Sequence, residues 1–219
     1  MNFLILGCSW GVPNYFGGLG DPAETHTEYR LRSAGHTVLN CAENSGSNLS
    51  SLDRAKKYIA GEDVKHPALD IILPKYDNTK IDWVVWFQTD FVRDEKIVSY
   101  SKTLLESIAR ITYSSYKDFI LSLDAKLALI GGNSDLHPCY KEYLKPNFVI
   151  PSWSSIILNQ LTMEFDISDP ELEFKFIDNE LRLQKLKQKS VFFPDTSHPG
   201  SVAHEKLVQT LLKCVTNSN

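Results

Sequence analysis

Ile81-Asp82-Trp83-Val84-Val85-Trp86-Phe87 is apolar throughout except at Asp82, and no polar alternation gives it a wet face. A strand of that composition is buried on both sides, the situation at the centre of a parallel sheet. Outward from it, short apolar runs alternate with longer amphipathic stretches, the rhythm of strands joined by helices. Toward the N-terminus, Phe3-Leu4-Ile5-Leu6 is the first expected strand and residues 37–40 the second. Residues 25–34 are an expected helix stopped by Gly35, and residues 49–60 another, opened by Ser47 or Asn48 as cap. Toward the C-terminus come an amphipathic stretch over 98–123, a strand over 126–130 ended by Gly131-Gly132, and a strand over 148–150 closed by Pro151. Residues 154–161 are expected to be helical, 181–189 form a charged stretch, and 201–215 read as a final helix. The expectation is an α/β protein with a mostly parallel sheet of about five strands. No repeat, low-complexity tract or linker divides the chain, so residues 1–219 are expected to form one domain.

Composition narrows the function. Apolar residues at 42% and charged residues at 23% are those of a folded, water-soluble body rather than a disordered or fibrous one. A net charge of −4 with no long basic run offers no grip on a phosphate backbone, so nucleic acid is not an expected partner. Cys8, Cys41, Cys139 and Cys214 show no zinc-ligand spacing and read as reduced thiols. Ile5-Leu6-Gly7-Cys8 superficially resembles a lipoprotein cleavage site, but no Lys or Arg precedes it and the apolar run is too short. Nor does any run reach the length of a membrane span. The expectation is a soluble cytoplasmic protein with no membrane partner; oligomeric state is not legible.

Ligands of open parallel sheets bind at the carboxyl ends of the strands, which directs attention to the loops there. After the first strand, Gly7-Cys8-Ser9-Trp10-Gly11 sets a hydroxyl between small residues, where the Ser9 N–H can also face an oxyanion; a plain Ser-Gly turn would look the same. The second is followed by a polar loop, residues 40–48, running into a helix N-terminus, with Gly46 able to bring a backbone donor close to an acyl oxygen. Ordinary turn and cap chemistry explains it equally. The central strand ends in Gln88-Thr89-Asp90, which line a cleft or, in the case of Asp90, cap the next element. Near the C-terminus, Pro194-Asp195-Thr196-Ser197-His198-Pro199 sets an Asp three residues before a His on a Pro-bounded loop. The carboxylate can then fix the imidazole tautomer and leave the other nitrogen to take a proton from a serine, although such a pair also occurs at helix caps.

Together and in this order, these blocks resemble the SGNH, or GDSL-like, hydrolases. Gly7-Cys8-Ser9 stands for the family's Gly-Asp-Ser, residues 40–46 for its second block, and Asp195-Thr196-Ser197-His198-Pro199 for its Asp-x-x-His. The resemblance implies a three-layer α/β/α sandwich of flavodoxin-like kind, Ser9 as nucleophile, His198 as base, Asp195 as its orienting acid, and Gly46 as an oxyanion donor. It implies no cofactor and no metal. The substrate implied is a small-molecule or carbohydrate ester with a small, acetyl-like acyl group. Two departures stand out. Cys8 replaces an Asp not needed for proton transfer, and Phe87-Gln88-Thr89-Asp90 replaces Gly-x-Asn-Asp, so that Gln88, Thr89 or Asn48 must stand in for the oxyanion Asn. Loss of one such donor typically costs about 10²–10³ in turnover. An acyltransferase with the same residues, or a binding or assembly protein on the same fold, are the competing expectations. The pattern is also similar to compact SGNH-type proteins encoded by tailed bacteriophages. His26, His36, His66, His137 and His204 form no metal-spaced cluster and read as solvated or core residues. Trp10, Tyr15, Phe16 and Trp153 suit an aromatic wall or a core equally, and the Gly-rich stretch 11–20 lacks the spacing of a nucleotide loop.

Overall fold

The apolar runs become strands because each is stopped by groups that satisfy the next backbone atoms elsewhere. The computed structural model describes residues 1–12, 26–44, 46–89, 91, 102–132, 136–150 and 201–217. In chain order the elements are β1 (Asn2–Gly7), a 3-10 turn (Ser9–Gly11), α1 (Thr27–Ser33), β2 (Thr37–Asn40), α2 (Asn48–Ile59) and β3 (Trp83–Gln88). They continue with α3 (Lys102–Leu123), β4 (Lys126–Gly131), α4 (Tyr140–Tyr143), β5 (Phe148–Ile150) and α5 (Ser201–Asn217). The strands pair in the order β2-β1-β3-β4-β5, every pairing parallel. That is the flavodoxin-like doubly wound order, whose topological switch point lies between the ends of β1 and β3.

Strand alternation splits the core in two. Phe3, Ile5, Trp83, Val85, Phe87, Ala128 and Ile130 face α1 and α5, packing with Leu31, Leu207 and Leu211. Leu4, Leu6, Val84, Trp86, Leu127 and Leu129 face α2 and α3, packing with Leu52, Ala55, Tyr113 and Tyr116. The result is the expected three-layer α/β/α arrangement, with β3 fully buried at the centre. On the second face the Trp86 indole stacks on Tyr116 at 3.4 Å between ring centroids.

β2 and β5 have the limits their sequences suggest, and β3 starts at Trp83 rather than Ile81. The Asp82 carboxylate accepts from the Asn2 N–H at 2.7 Å, a side-chain bond that marks the edge of the ladder. α1 starts at Thr27 rather than at residue 25, and Gly35 ends it as expected, with φ +85° and the His36 N–H returning to the Leu31 carbonyl. Of the two candidate caps of α2, Ser47 takes the role: its hydroxyl accepts from the Ser50 N–H, and the Ser50 hydroxyl accepts from the Ser47 N–H. The short α4 was not expected from the sequence. Residues 153–189 lie outside the described residues. All four cysteines are reduced thiols, and among the described residues no helix is long and apolar enough to cross a membrane.

Candidate active site

Gly7 ends β1 with φ +118°, a conformation L side chains rarely adopt, and a Cβ there would lie 2.0 Å from the Phe87 carbonyl oxygen. Only glycine lets the two central strands approach this closely and then turn the chain off the sheet. The turn that follows is tight. The Gly11 N–H donates to the Cys8 carbonyl at 2.9 Å, and the Val12 N–H to the Ser9 carbonyl at 3.1 Å. Because Gly7 pairs with Phe87 in register, Ser9 lies just beyond the carboxyl ends of the two central strands, at the switch point where the fold places ligands. Ser9 is 6% exposed, so its hydroxyl sits in a largely dry setting where electrostatic effects are strengthened.

Side chains from the neighbouring layer hold this turn. The buried Ser51 hydroxyl of α2 accepts from the Gly7 N–H at 2.6 Å, and the Glu43 N–H donates to the Gly7 carbonyl at 2.9 Å. Asn48, fully buried at the start of α2, uses both ends of its amide on one residue: Nδ2 donates to the Thr89 carbonyl and Oδ1 accepts from the Thr89 N–H, each at 3.0 Å. The loops after β2 and β3 are thereby locked together. Asn48 is thus a brace between the two loops.

Gly46 and Gln88 are likewise held by bonds within the fold. The Gly46 N–H donates to the Glu43 carbonyl at 3.1 Å, closing its own turn, and a Cβ on Gly46 would lie 2.6 Å from the Glu43 Cβ. The backbone donor expected of Gly46 is therefore turned inward. Gln88 is buried and its Oε1 accepts from the Tyr113 hydroxyl at 2.7 Å, which points the side chain under α3. Burial, opposed in part by that bond, pushes the Tyr113 hydroxyl well above its ordinary pKa, so it stays a donor. Thr89 is buried just past the end of β3. Trp10 has its backbone in the 3-10 turn. Asp90, Asp195 and His198 lie outside the described residues. Burial also raises the Cys41 thiol to about 12 and the Cys139 thiol to about 11, leaving both as neutral thiols at physiological pH.

Sequence reading missed a buried polar cluster behind the turn. Glu28 of α1, 2% exposed, accepts from Asn40 Nδ2 at 2.8 Å, from Arg32 Nε at 3.1 Å and from His66 Nε2 at 3.2 Å. His66 Nδ1 accepts from the Ala68 and Leu69 N–H groups, so the ring proton sits on Nε2 and is donated to the carboxylate. Burial, the largest influence, opposes ionisation of Glu28. The bonds from His66 and Asn40, with the charges around them, outweigh it and hold the carboxyl below its ordinary range. Glu28 and Arg32 at helical spacing were a readable pair; no local signal tied His66 or Asn40 to them.

No family model matches the sequence, and no curated protein matches it in sequence. Among solved structures, the chain is similar to a carbohydrate esterase whose active site displays divergent catalytic and non-catalytic binding functions. That likeness has 10% identity and a TM-score of 0.50, over 99% of this chain and 64% of the other. The psychrotrophic esterase EstA of a Pseudoalteromonas species aligns at 10% identity and a TM-score of 0.49, over 99% and 97% of the two chains. AlinE4, an esterase of the SGNH-hydrolase family, aligns at 14% identity and a TM-score of 0.43, over 99% and 95%. At such identities the likeness is one of architecture, and at a TM-score of 0.50 the carbohydrate esterase shares the α/β fold of this chain, a parallel sheet with helices on both faces.

Proposed function

We propose that the chain, as one domain, is a serine hydrolase of carboxylic esters, with Ser9 as nucleophile, His198 as general base and Asp195 as the acid that orients it. The observation that carries this reading is the Ser9 turn. A hydroxyl stands at the switch point of a 2-1-3-4-5 parallel sheet, on a turn that a positive-φ glycine and a side chain from the next layer hold in place. In the reaction, Ser9 Oγ bonds to the ester carbonyl carbon while His198 takes its proton. Collapse of the tetrahedral intermediate expels the alcohol, which leaves with that proton. Water, deprotonated by the same imidazole, then releases the acid and restores Ser9. That one structural neighbour is a carbohydrate esterase supports a carbohydrate ester as the substrate, and the small acyl group follows from the resemblance of the sequence blocks. The test is a series of nitrophenyl esters of increasing acyl length, run beside Ser9→Ala and His198→Ala. Turnover should be greatest for the shortest chains and fall at least about 10³-fold in both variants. Turnover unchanged by Ser9→Ala would sink the assignment.

One observation favours a second reading. The Gly46 N–H and the Asn48 Nδ2 group both donate to backbone carbonyls, and by the resemblance Thr89 stands where the family has its oxyanion Asn. A binding or assembly protein with weak chemistry fits that arrangement, and failure of a fluorophosphonate probe to label well-folded protein would select it.

A further inference from the structure

Asn40 ends β2 with its side chain 0% exposed and all three polar positions engaged. Oδ1 accepts from the Ala42 N–H at 3.0 Å. One hydrogen of Nδ2 goes to the Gly11 carbonyl, the last residue of the 3-10 turn that begins at Ser9, and the other to Glu28 Oε2, both at 2.8 Å. The Ala42 donor fixes which end of the amide is nitrogen, and the carboxylate behind it polarises the N–H that reaches the turn. Both Glu28 oxygens face donors: Oε1 faces Arg32 and His66, Oε2 faces Asn40 and His66. An ionised carboxylate buried to this degree carries a desolvation penalty that an apolar cluster would avoid, so an advantage in stability over an apolar cluster is a poor account of its presence here.

We infer that Asn40, clamped by the buried Glu28 carboxylate, is a positioning residue for the Ser9 turn, holding the nucleophile through the Gly11 carbonyl. This rests on the hydrolase reading only in its consequence for chemistry; the clamp itself is a statement about the turn. Asn40→Asp is isosteric and sets an oxygen against both the Gly11 carbonyl and Glu28. Glu28→Gln leaves Asn40 in place but must turn an NH2 group toward one of the donors around it.

The experiment uses the full chain, comparing wild type with both variants by amide hydrogen exchange, by the rate of fluorophosphonate labelling and by kcat and KM on nitrophenyl acetate. Ser9→Ala supplies the zero for labelling. In a folded variant, the Gly11 and Val12 amides should exchange about tenfold faster or more, with β3 and β4 amides at wild-type rates. Labelling and kcat should drop roughly ten- to a hundredfold with KM unchanged, as expected of a misplaced nucleophile. Wild-type exchange at Gly11 and Val12 overturns the inference. So does faster exchange spread evenly through the sheet, or failure of both variants to fold, since either assigns the cluster to general stability. Local loosening with labelling at the wild-type rate overturns it too, because the turn would then move without consequence for Ser9. If wild type itself does not label, the hydrolase reading fails, and exchange at Gly11 and Val12 alone decides the clamp.

Discussion

Gly7 is where the fold and the candidate chemistry meet in one residue. The space a methyl group would need is occupied by the Phe87 carbonyl, 2.0 Å from an added Cβ, and φ is +118°. Gly7→Ala must therefore either distort the turn or push β3 away from β1. The expected cost is about 3 kcal/mol, read as a lower urea midpoint at unchanged slope. The sequence made the glycine visible beside Ser9 but not its reason, because the obstructing atom belongs to a strand distant in the chain. Ser9 and Thr89 were legible at strand ends for the same reason that Gln88 was: a long apolar run that stops in polar residues must place them at an edge. What they touch was not legible, and the Gln88 bond to Tyr113 directs that side chain under α3 instead of toward the turn.

At the scale of elements, α2 is the piece that organises the site. Its first two turns supply Asn48 to the loop after β3 and Ser51 to the end of β1. The capping box of Ser47 and Ser50 sets the N-terminus from which both side chains are aimed. Ser47→Ala should lower stability by about 1 kcal/mol in thermal unfolding, the usual value of a lost cap. A drop in ester turnover beyond that seen for an equally destabilising change on the exposed face of α2 would show that the cap also aims Asn48 and Ser51. β2 and β5 could be bounded from sequence because turn residues or a proline close them; α4 could not, since four residues carry no helical period.

Across the whole molecule, the buried cluster of Glu28, Asn40 and His66, with the exposed Arg32 at its edge, ties α1, β2 and the segment after α2 into one unit. Glu28 titrates below its ordinary value of 4.5 in the folded chain, so folding favours the ionised form. The stability it contributes is complete above that ordinary value and is lost as pH falls through the lowered one. Wild type should therefore lose urea resistance as pH falls below that ordinary value, and Glu28→Gln should show a shallower decline over the same range. A decline of equal steepness in both would contradict the coupling. Pairs of this kind, far apart in the chain, leave no trace in spacing or periodicity, whereas the layer order follows from the alternation of apolar runs and amphipathic stretches. That alternation also leaves an optical consequence. Trp83 and Trp86 point to opposite sides of β3, one toward α1 and α5 and the other onto Tyr116 beneath α3. Replacing either indole with phenylalanine and subtracting the emission spectra would isolate a chromophore for each half of the interior, so that the two halves can be watched melting separately or in step.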